Sequence, residues 1–399
     1  MKYRWELLFW LWLAFFFNQA DRQIFNVLLP LLRHDLGLSD VQLGLVGTVF
    51  VVANGLMVPV AGFLGDILSR KRIIVVSLFG WSLATLCTGF GTSLLYFVVA
   101  RSLATAVGEA FFFPSAVAML ASEHEETRAR ALSLFQTSVY LGLIASGWVG
   151  GALAERFGWR SVFWIFGAIG MALSLALSAR IRETRPATPQ TAAPAAAASQ
   201  IAASARAILS QPVARYIALA SAATIFVNIG YLAWMPAYLF ERFQMPLAKA
   251  GLTSMLFHHA LAFMGVILGG MISDRYAPGR PRIRMEIQGL ALLAGAPFLF
   301  LLGRAASEWM VYGALAGFGF FRGLFESNLY PAFYSVISPR YHAAASGLLI
   351  AFSFLAASAA PVLLGKVKET AGLASGISAL SAFYVAGAVA VFAGSRRLC

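Results

Sequence analysis

Apolar stretches of about 17–25 residues recur along the whole chain, parted by short polar segments, and each is long enough to cross a bilayer as a helix. The pattern predicts spans at 5–31, 42–64, 73–93, 95–121, 129–154 and 161–181, then at 213–240, 248–273, 285–303, 308–337, 342–365 and 374–395. No ten-residue alternation of apolar and polar positions appears, which argues against an outer-membrane barrel. Residues 182–212 are rich in Ala, Pro, Thr and Ser and carry Arg182, Arg185 and Arg206. They read as a cytoplasmic linker with a short surface helix near 199–210. The expected fold is an all-α membrane protein of twelve transmembrane helices. It is arranged as a six-helix lobe over 1–181, the linker over 182–212, and a pseudo-symmetric six-helix lobe over 213–399.

Composition agrees with that pattern. Hydrophobic residues make up 60% of the chain and charged residues only 12%, where a soluble protein is about 45–50% apolar. The net charge of +13 raises the question of nucleic acid, but the basic residues crowd into one set of alternate loops. Arg70, Lys71 and Arg72 form one cluster; Arg275, Arg280, Arg282 and Arg284 form another. That asymmetry is the positive-inside signature, and it places both termini in the cytoplasm and the protein in the inner membrane. Lys2 and Arg4 precede an apolar run as in a signal peptide. Asp21-Arg22 interrupts the run and no small-residue cleavage site follows, so it reads as a retained first span. Cys87 and Cys399 do not make a disulfide framework.

The halves repeat one another. Gly108-Glu109-Ala110-Phe111-Phe112-Phe113-Pro114 and Phe325-Glu326-Ser327-Asn328-Leu329-Tyr330-Pro331 each place an acid five residues before a proline in an apolar segment, with Arg101 or Arg322 upstream. Gly62-x-x-x-Asp66 and Gly270-x-x-x-Asp274 each end a span just before a basic loop. A parallel repeat of this kind is a transporter architecture. A charge at the bilayer centre costs roughly 2.5–3.5 kcal/mol on insertion scales, so such residues face a cavity and carry function by default.

These motifs resemble the major facilitator superfamily, and the resemblance covers essentially the whole chain. The loop Gly62-Phe-Leu-Gly65-Asp66-Ile67-Leu-Ser69-Arg70-Lys71-Arg72 is similar to that family's Gly-x-x-x-Asp-Arg-x-Gly-Arg-Arg signature, with Ile67 and Ser69 departing from it. Gly270 to Asp274-Arg275 repeats it, and Arg101 with Gly108-Glu109-Ala110 resembles the family's fourth-helix arginine motif. Asn18-Gln19-Ala20-Asp21-Arg22 together with Glu109 resembles both Spinster-type lysolipid carriers and organic anion:cation symporters. Gly147-Trp148-Val149-Gly150-Gly151 lacks the proline of the drug-antiporter motif, which argues against a multidrug exporter.

Several residues are candidates for chemistry. Asp21 and Arg22 point about 100° apart on a helix and so serve different neighbours. Arg22 is assigned to a substrate anion and Asp21 to proton coupling; the alternative is neutralisation by another helix. Desolvation opposes charge on Glu109 while a nearby arginine favours it, making it the first choice for a proton carrier; the alternative is a permanent pair with Arg22 or Arg101. Arg322 and Glu326 are four apart, either a self-neutralised pair or a site where substrate displaces Glu326. His258, with His259 beside it, is a relay or a packing histidine. Arg22, Arg101, Arg322, Asn18, Gln19, Tyr231, Trp234, Asn328 and Tyr330 are the substrate-binding candidates, and Asp21, Glu109, Glu326 and His258 the proton-coupling ones. Asp66, Arg70, Asp274 and Arg275 are assigned to gating, as latches at the membrane surface.

No zinc spacing, phosphate loop or Ser-His-Asp arrangement is present, so neither an enzyme nor a cofactor is expected. The expectation is a monomeric secondary transporter for a small or amphipathic anion, coupled to protons, with the lipid bilayer and no nucleic acid as partner. A sugar acid or carboxylate is the leading substrate class and a lysophospholipid the alternative. A non-transporting sensor in the same fold would add a long soluble tail, whereas the chain stops just after its last span.

Overall fold

The computed structural model describes residues 3–182, 194–277 and 280–398. Among them every regular element is a helix. These are α1 (Tyr3–Val27), α2 (Leu29–Leu36), α3 (Asp40–Ile67), α4 (Arg70–Thr88), α5 (Leu94–Phe97), α6 (Thr105–Glu123), α7 (Arg128–Phe157), α8 (Trp159–Arg180), α9 (Pro194–Ser210), α10 (Pro212–Phe243), α11 (Leu247–Tyr276), α12 (Pro281–Arg304), α13 (Glu308–Tyr334), α14 (His342–Ala357), α15 (Ala360–Ala371) and α16 (Leu373–Ser395). A π-helical segment, Val98–Ala104, joins α5 to α6. Ten stretches among the described residues are long and apolar enough to cross a membrane. α1 and α13 are not in that set, because they carry Asp21-Arg22 and Arg322 with Glu326.

Prolines account for two breaks in the expected spans. Pro30 and Pro361 lack an N–H, and their rings crowd the carbonyls of Asn26 and Ala357 four residues back. The span expected at 5–31 therefore divides into α1 and α2, and the one at 342–365 into α14 and α15. Gly37, at φ 63°, closes α2 in the left-handed region. Pro114 and Pro331, by contrast, lie inside continuous helices. The helix expected near 199–210 begins earlier, at Pro194, and buries Ser204.

The chain groups into two compact units. Unit 1 holds residues 1–190 together with 235–255, the end of α10 and the start of α11. There α1 packs on α7, α4 on α8 and α6, and α3 on α6. Its core is aromatic: Phe15 stacks on Phe135 at 4.9 Å and Trp81 meets Phe112 edge-on at 5.4 Å. Lipid tails are as apolar as these side chains, so close packing rather than exclusion from water holds the helices together. The 235–255 segment is held by Glu155, whose carboxylate accepts from the Ala248 N–H at 3.2 Å, and by Arg33, 3.9 Å from Glu241. Unit 2 holds residues 191–234 and 256–399, with α12 packed on α13 and α16 and α9 on α14.

Candidate functional site

In unit 1 the π-helical segment determines where Arg101 goes. Such segments carry one extra residue per turn and recur at functional positions. Ser102 pins this one to α3 by donating to the Val46 carbonyl at 2.7 Å, and Thr105 closes it by donating to the Ala100 carbonyl at 3.0 Å. Arg101 is 3% exposed. Its Nη2 donates to the carbonyls of Asp21 and Arg22, at 3.1 and 2.7 Å; a carbonyl oxygen has a second lone pair for such a bond even inside a helix. Its Nη1 lies 3.9 Å from Asp21 Oδ1, and the guanidinium sits over the rings of Phe25 and Phe50, 5.6 Å from each.

Asp21 is buried, and Thr85 Oγ1 donates to its Oδ2 at 2.6 Å, a charge-assisted length for an O–H donor. Asp21 and Arg101 thus meet within one packed layer of α1, α4 and the π-helical segment, although Asp21 Oδ1 and Arg101 Nη1 stay beyond hydrogen-bond distance and neither has a hydrogen-bond partner among the described residues. Arg22 shares the Phe50 ring with Arg101: half-buried, it lies 4.8 Å over it, a cation–π contact. Arg22 is also the cation that acts most strongly on Glu109, ahead of Arg101.

Glu109 is 5% exposed and its Oε1 has no hydrogen-bond partner among the described residues. Gly108 brings it there: a Cβ at Gly108 would stand 2.8 Å from Trp81 Cβ and 2.9 Å from its N, so α6 can press on α4 only through a glycine. Asn18, on α1, lies beside Glu109, and its Nδ2 has no hydrogen-bond partner within 3.5 Å among the described residues. Gln19 Nε2 donates to Asn18 Oδ1 at 3.0 Å. Gly142 lets α7 lie against this stretch, since a Cβ there would be 2.6 Å from the Phe16 carbonyl.

Unit 2 carries its own cluster. Arg322 Nε and Nη2 both donate to Glu326 Oε1, at 2.9 and 2.6 Å, and Nη1 contacts His258 Nε2 at 2.8 Å. A guanidinium can only donate, so Nε2 accepts and the histidine proton sits on Nδ1. That Nδ1 is buried without a partner. Tyr231 and Phe318 pack on the His258 ring at 4.6 and 4.5 Å. Gly319 backs directly on the His258 carbonyl, which brings α13 against α11. The Tyr384 hydroxyl, in the field of Arg322 and Glu326, has no hydrogen-bond partner.

The remaining candidates divide. Trp234 Nε1 donates to the Pro361 carbonyl at 2.9 Å. Asn328 Nδ2 donates to the Leu324 carbonyl and to Ser327 Oγ, both at 3.1 Å. Tyr330 packs at a tilt against Tyr334, ring centres 5.9 Å apart. Of the gating residues, Asp274 is exposed and Arg275 lies 5.5 Å over the Tyr276 ring. Arg70 Nη1 donates to the Ala118 carbonyl at 3.5 Å. The Asp66 side chain lies outside the described ones. Thr85, Phe50 and Tyr384 are not among the sequence candidates. Among the described residues no group of three or more His, Cys, Asp or Glu is placed to hold a metal ion.

The sequence matches the family model described as Major Facilitator Superfamily over residues 11–361. The chain belongs to the Major Facilitator Superfamily. It is a multi-pass membrane transporter, not an enzyme. Similar relatives include the probable galactarate/D-glucarate transporter GudP of Bacillus subtilis (strain 168), 26% identical over 94% of this chain and 87% of that one. Protein spinster homolog 1 of Xenopus laevis is 29% identical over 71% of this chain and 57% of its own. Among solved structures, a bacterial homologue of the human lysosomal transporter Spinster, inward-facing and unoccupied, superposes with a TM-score of 0.86 at 22% identity. That match covers 100% of this chain and 98% of the other, and bears on the fold.

Proposed function

We propose that this transporter carries a small organic anion, a sugar acid or related carboxylate, together with protons by alternating access. In this reading α1 and α13, with the ten apolar spans, make twelve spans in two six-helix lobes, set in the inner membrane with both termini in the cytoplasm. The observation that carries the proposal is the pairing of unequal neighbours in unit 1: a half-buried Arg22 facing a buried Glu109 whose Oε1 has no partner. A buried carboxyl with an unsatisfied oxygen is costly as an anion and much less so when protonated. Protonation of Glu109 therefore releases Arg22 to a substrate carboxylate, and deprotonation draws it back. Arg101, tied to α1 carbonyls and Asp21, acts as the brace that orients Arg22 rather than as a ligand. Arg322 is the second anion site, with Glu326 as the internal carboxylate that substrate replaces; arginine suits such planar two-point contacts. Asp66, Arg70, Asp274 and Arg275 remain assigned to gating. The name of the relative that handles galactarate and D-glucarate supports the sugar-acid class.

A second reading, transport of a lysophospholipid or similar amphipathic lipid, draws on the similarity to protein spinster homolog 1. The two readings separate in a thermal-shift screen of the purified protein over sugar acids, carboxylates and lysophospholipids. Coupling is tested in proteoliposomes with Glu109→Gln. Uptake driven by a pH gradient is expected to vanish while substrate exchange continues. Gradient-driven uptake persisting unchanged in that variant refutes the assignment of Glu109.

A further inference from the structure

Outside the charged clusters, unit 1 carries one hollow of about 500 Å³ between α4 and α6. One face of α4 supplies Arg72, Val76 and Gly80, and one face of the π-helical segment and α6 supplies Ala104, Val107 and Gly108. The residues follow helical spacing of three and four, so the hollow is a groove running along both helices. From Ser69 to Gly80 it extends roughly 16 Å at the usual helical rise. Val76 and Val107 are exposed, at 68% and 40%, on helices apolar enough to span the membrane. The surroundings of this groove are therefore lipid, not water.

We propose that the groove holds an acyl chain of a resident anionic phospholipid, with the headgroup phosphate at Arg72. Two chemistries meet in it. The floor is apolar and made hollow by Gly80 and Ala104, where larger side chains would fill the space, and it is closed where Gly108 lets α6 meet α4 at Trp81. The mouth is cationic: Arg72 lines it and is exposed, and Arg70 and Lys71 precede it at the start of α4. A two-chain lipid with a negative headgroup matches both ends at once. A zwitterionic lipid matches only the floor, and a free anion only the mouth. Basic pockets between spanning helices bind acidic headgroups by the same logic. The lipid would wedge α4 against α6 at Gly108, beside Glu109, and so stiffen the wall that presents that carboxyl. The inference does not rest on the substrate assigned above.

Native mass spectrometry of the full chain, released from micelles containing phosphatidylglycerol or phosphatidylcholine of the same chains, tests this directly. Phosphatidylglycerol is expected to remain bound in preference to phosphatidylcholine. Arg72→Gln should lower that preference about fivefold, the share of one basic side chain near a membrane surface. Gly80→Leu should reduce retention of both lipids. A Cβ at Gly80 meets nothing within 4 Å, and leucine is the better helix former, so this variant fills the groove without disturbing the fold. Melting temperatures in phosphatidylcholine micelles should match the parent for both variants. An excess of inorganic phosphate should leave the bound lipid in place. Equal retention of the two lipids, unchanged retention in either variant, or displacement by phosphate alone overturns the proposal.

Discussion

The two units bury similar residues in different states of completion. In unit 2 the acid and base lie four residues apart on one helix, and Arg322 closes on Glu326 and His258 with three contacts of 2.6–2.9 Å. In unit 1 the charges come from α1, the π-helical segment and α6. Arg101 lies 3.9 Å from Asp21 and Thr85 donates to the other Asp21 oxygen, while Asp21 Oδ1 and Glu109 Oε1 have no hydrogen-bond partner among the described residues. A local pair neutralises itself wherever its helix goes. A pair assembled across helices depends on how those helices pack, so its charges can respond when they shift. The unit 1 charges thus depend on helix packing, whereas the unit 2 pair is set by one helix.

The largest effect that would sharpen this contrast is expected from Arg101→Met. It leaves Asp21 buried with its charge unmatched, a loss of about 3–5 kcal/mol, read as a lower melting temperature in detergent. Arg322→Met should cost much less, because the Glu326 side chain is 32% exposed and can be solvated. Equal losses would erase the distinction between the two clusters. Next, Thr85→Val removes a hydrogen bond to a carboxylate and should cost about 1.5–3 kcal/mol. In the Asp21→Asn background the same change should cost clearly less, and a double-mutant cycle reads the difference. The smallest effect concerns affinity. Glu326→Gln frees Arg322 and should tighten binding of a sugar acid by up to about tenfold, the equivalent of one charge-assisted contact. Calorimetric titration measures it, and weaker binding would show that Glu326 helps to hold the ligand.

Much of this architecture can be read from apolar run length, since a helix is the way a lone segment satisfies its backbone in lipid. The breaks at Pro30 and Pro361 are not read from the sequence, because the apolar runs continue through both and prolines such as Pro114 and Pro331 sit inside unbroken helices. The Arg322–Glu326 pair follows from its spacing alone. Arg101 is another matter. Regular helical geometry over 95–121 carries no hint of the extra residue between Val98 and Ala104. The main-chain carbonyls that hold Arg101 lie 79 and 80 positions away in sequence. Thr85 and Phe50 are invisible in the sequence for the same reason: neither residue type is unusual in a span, and their roles exist only through contact with α1.

The widened turn at Val98–Ala104 has one consequence for engineering. Forcing ordinary winding onto the same residues would swing everything downstream by about 100° about the helix axis. Glu109 would rotate away from Arg22, and Gly108 would no longer meet Trp81. The wide turn thus works as the indexing pin of this helix, aligning the Glu109 carboxyl with a cation contributed by a different segment.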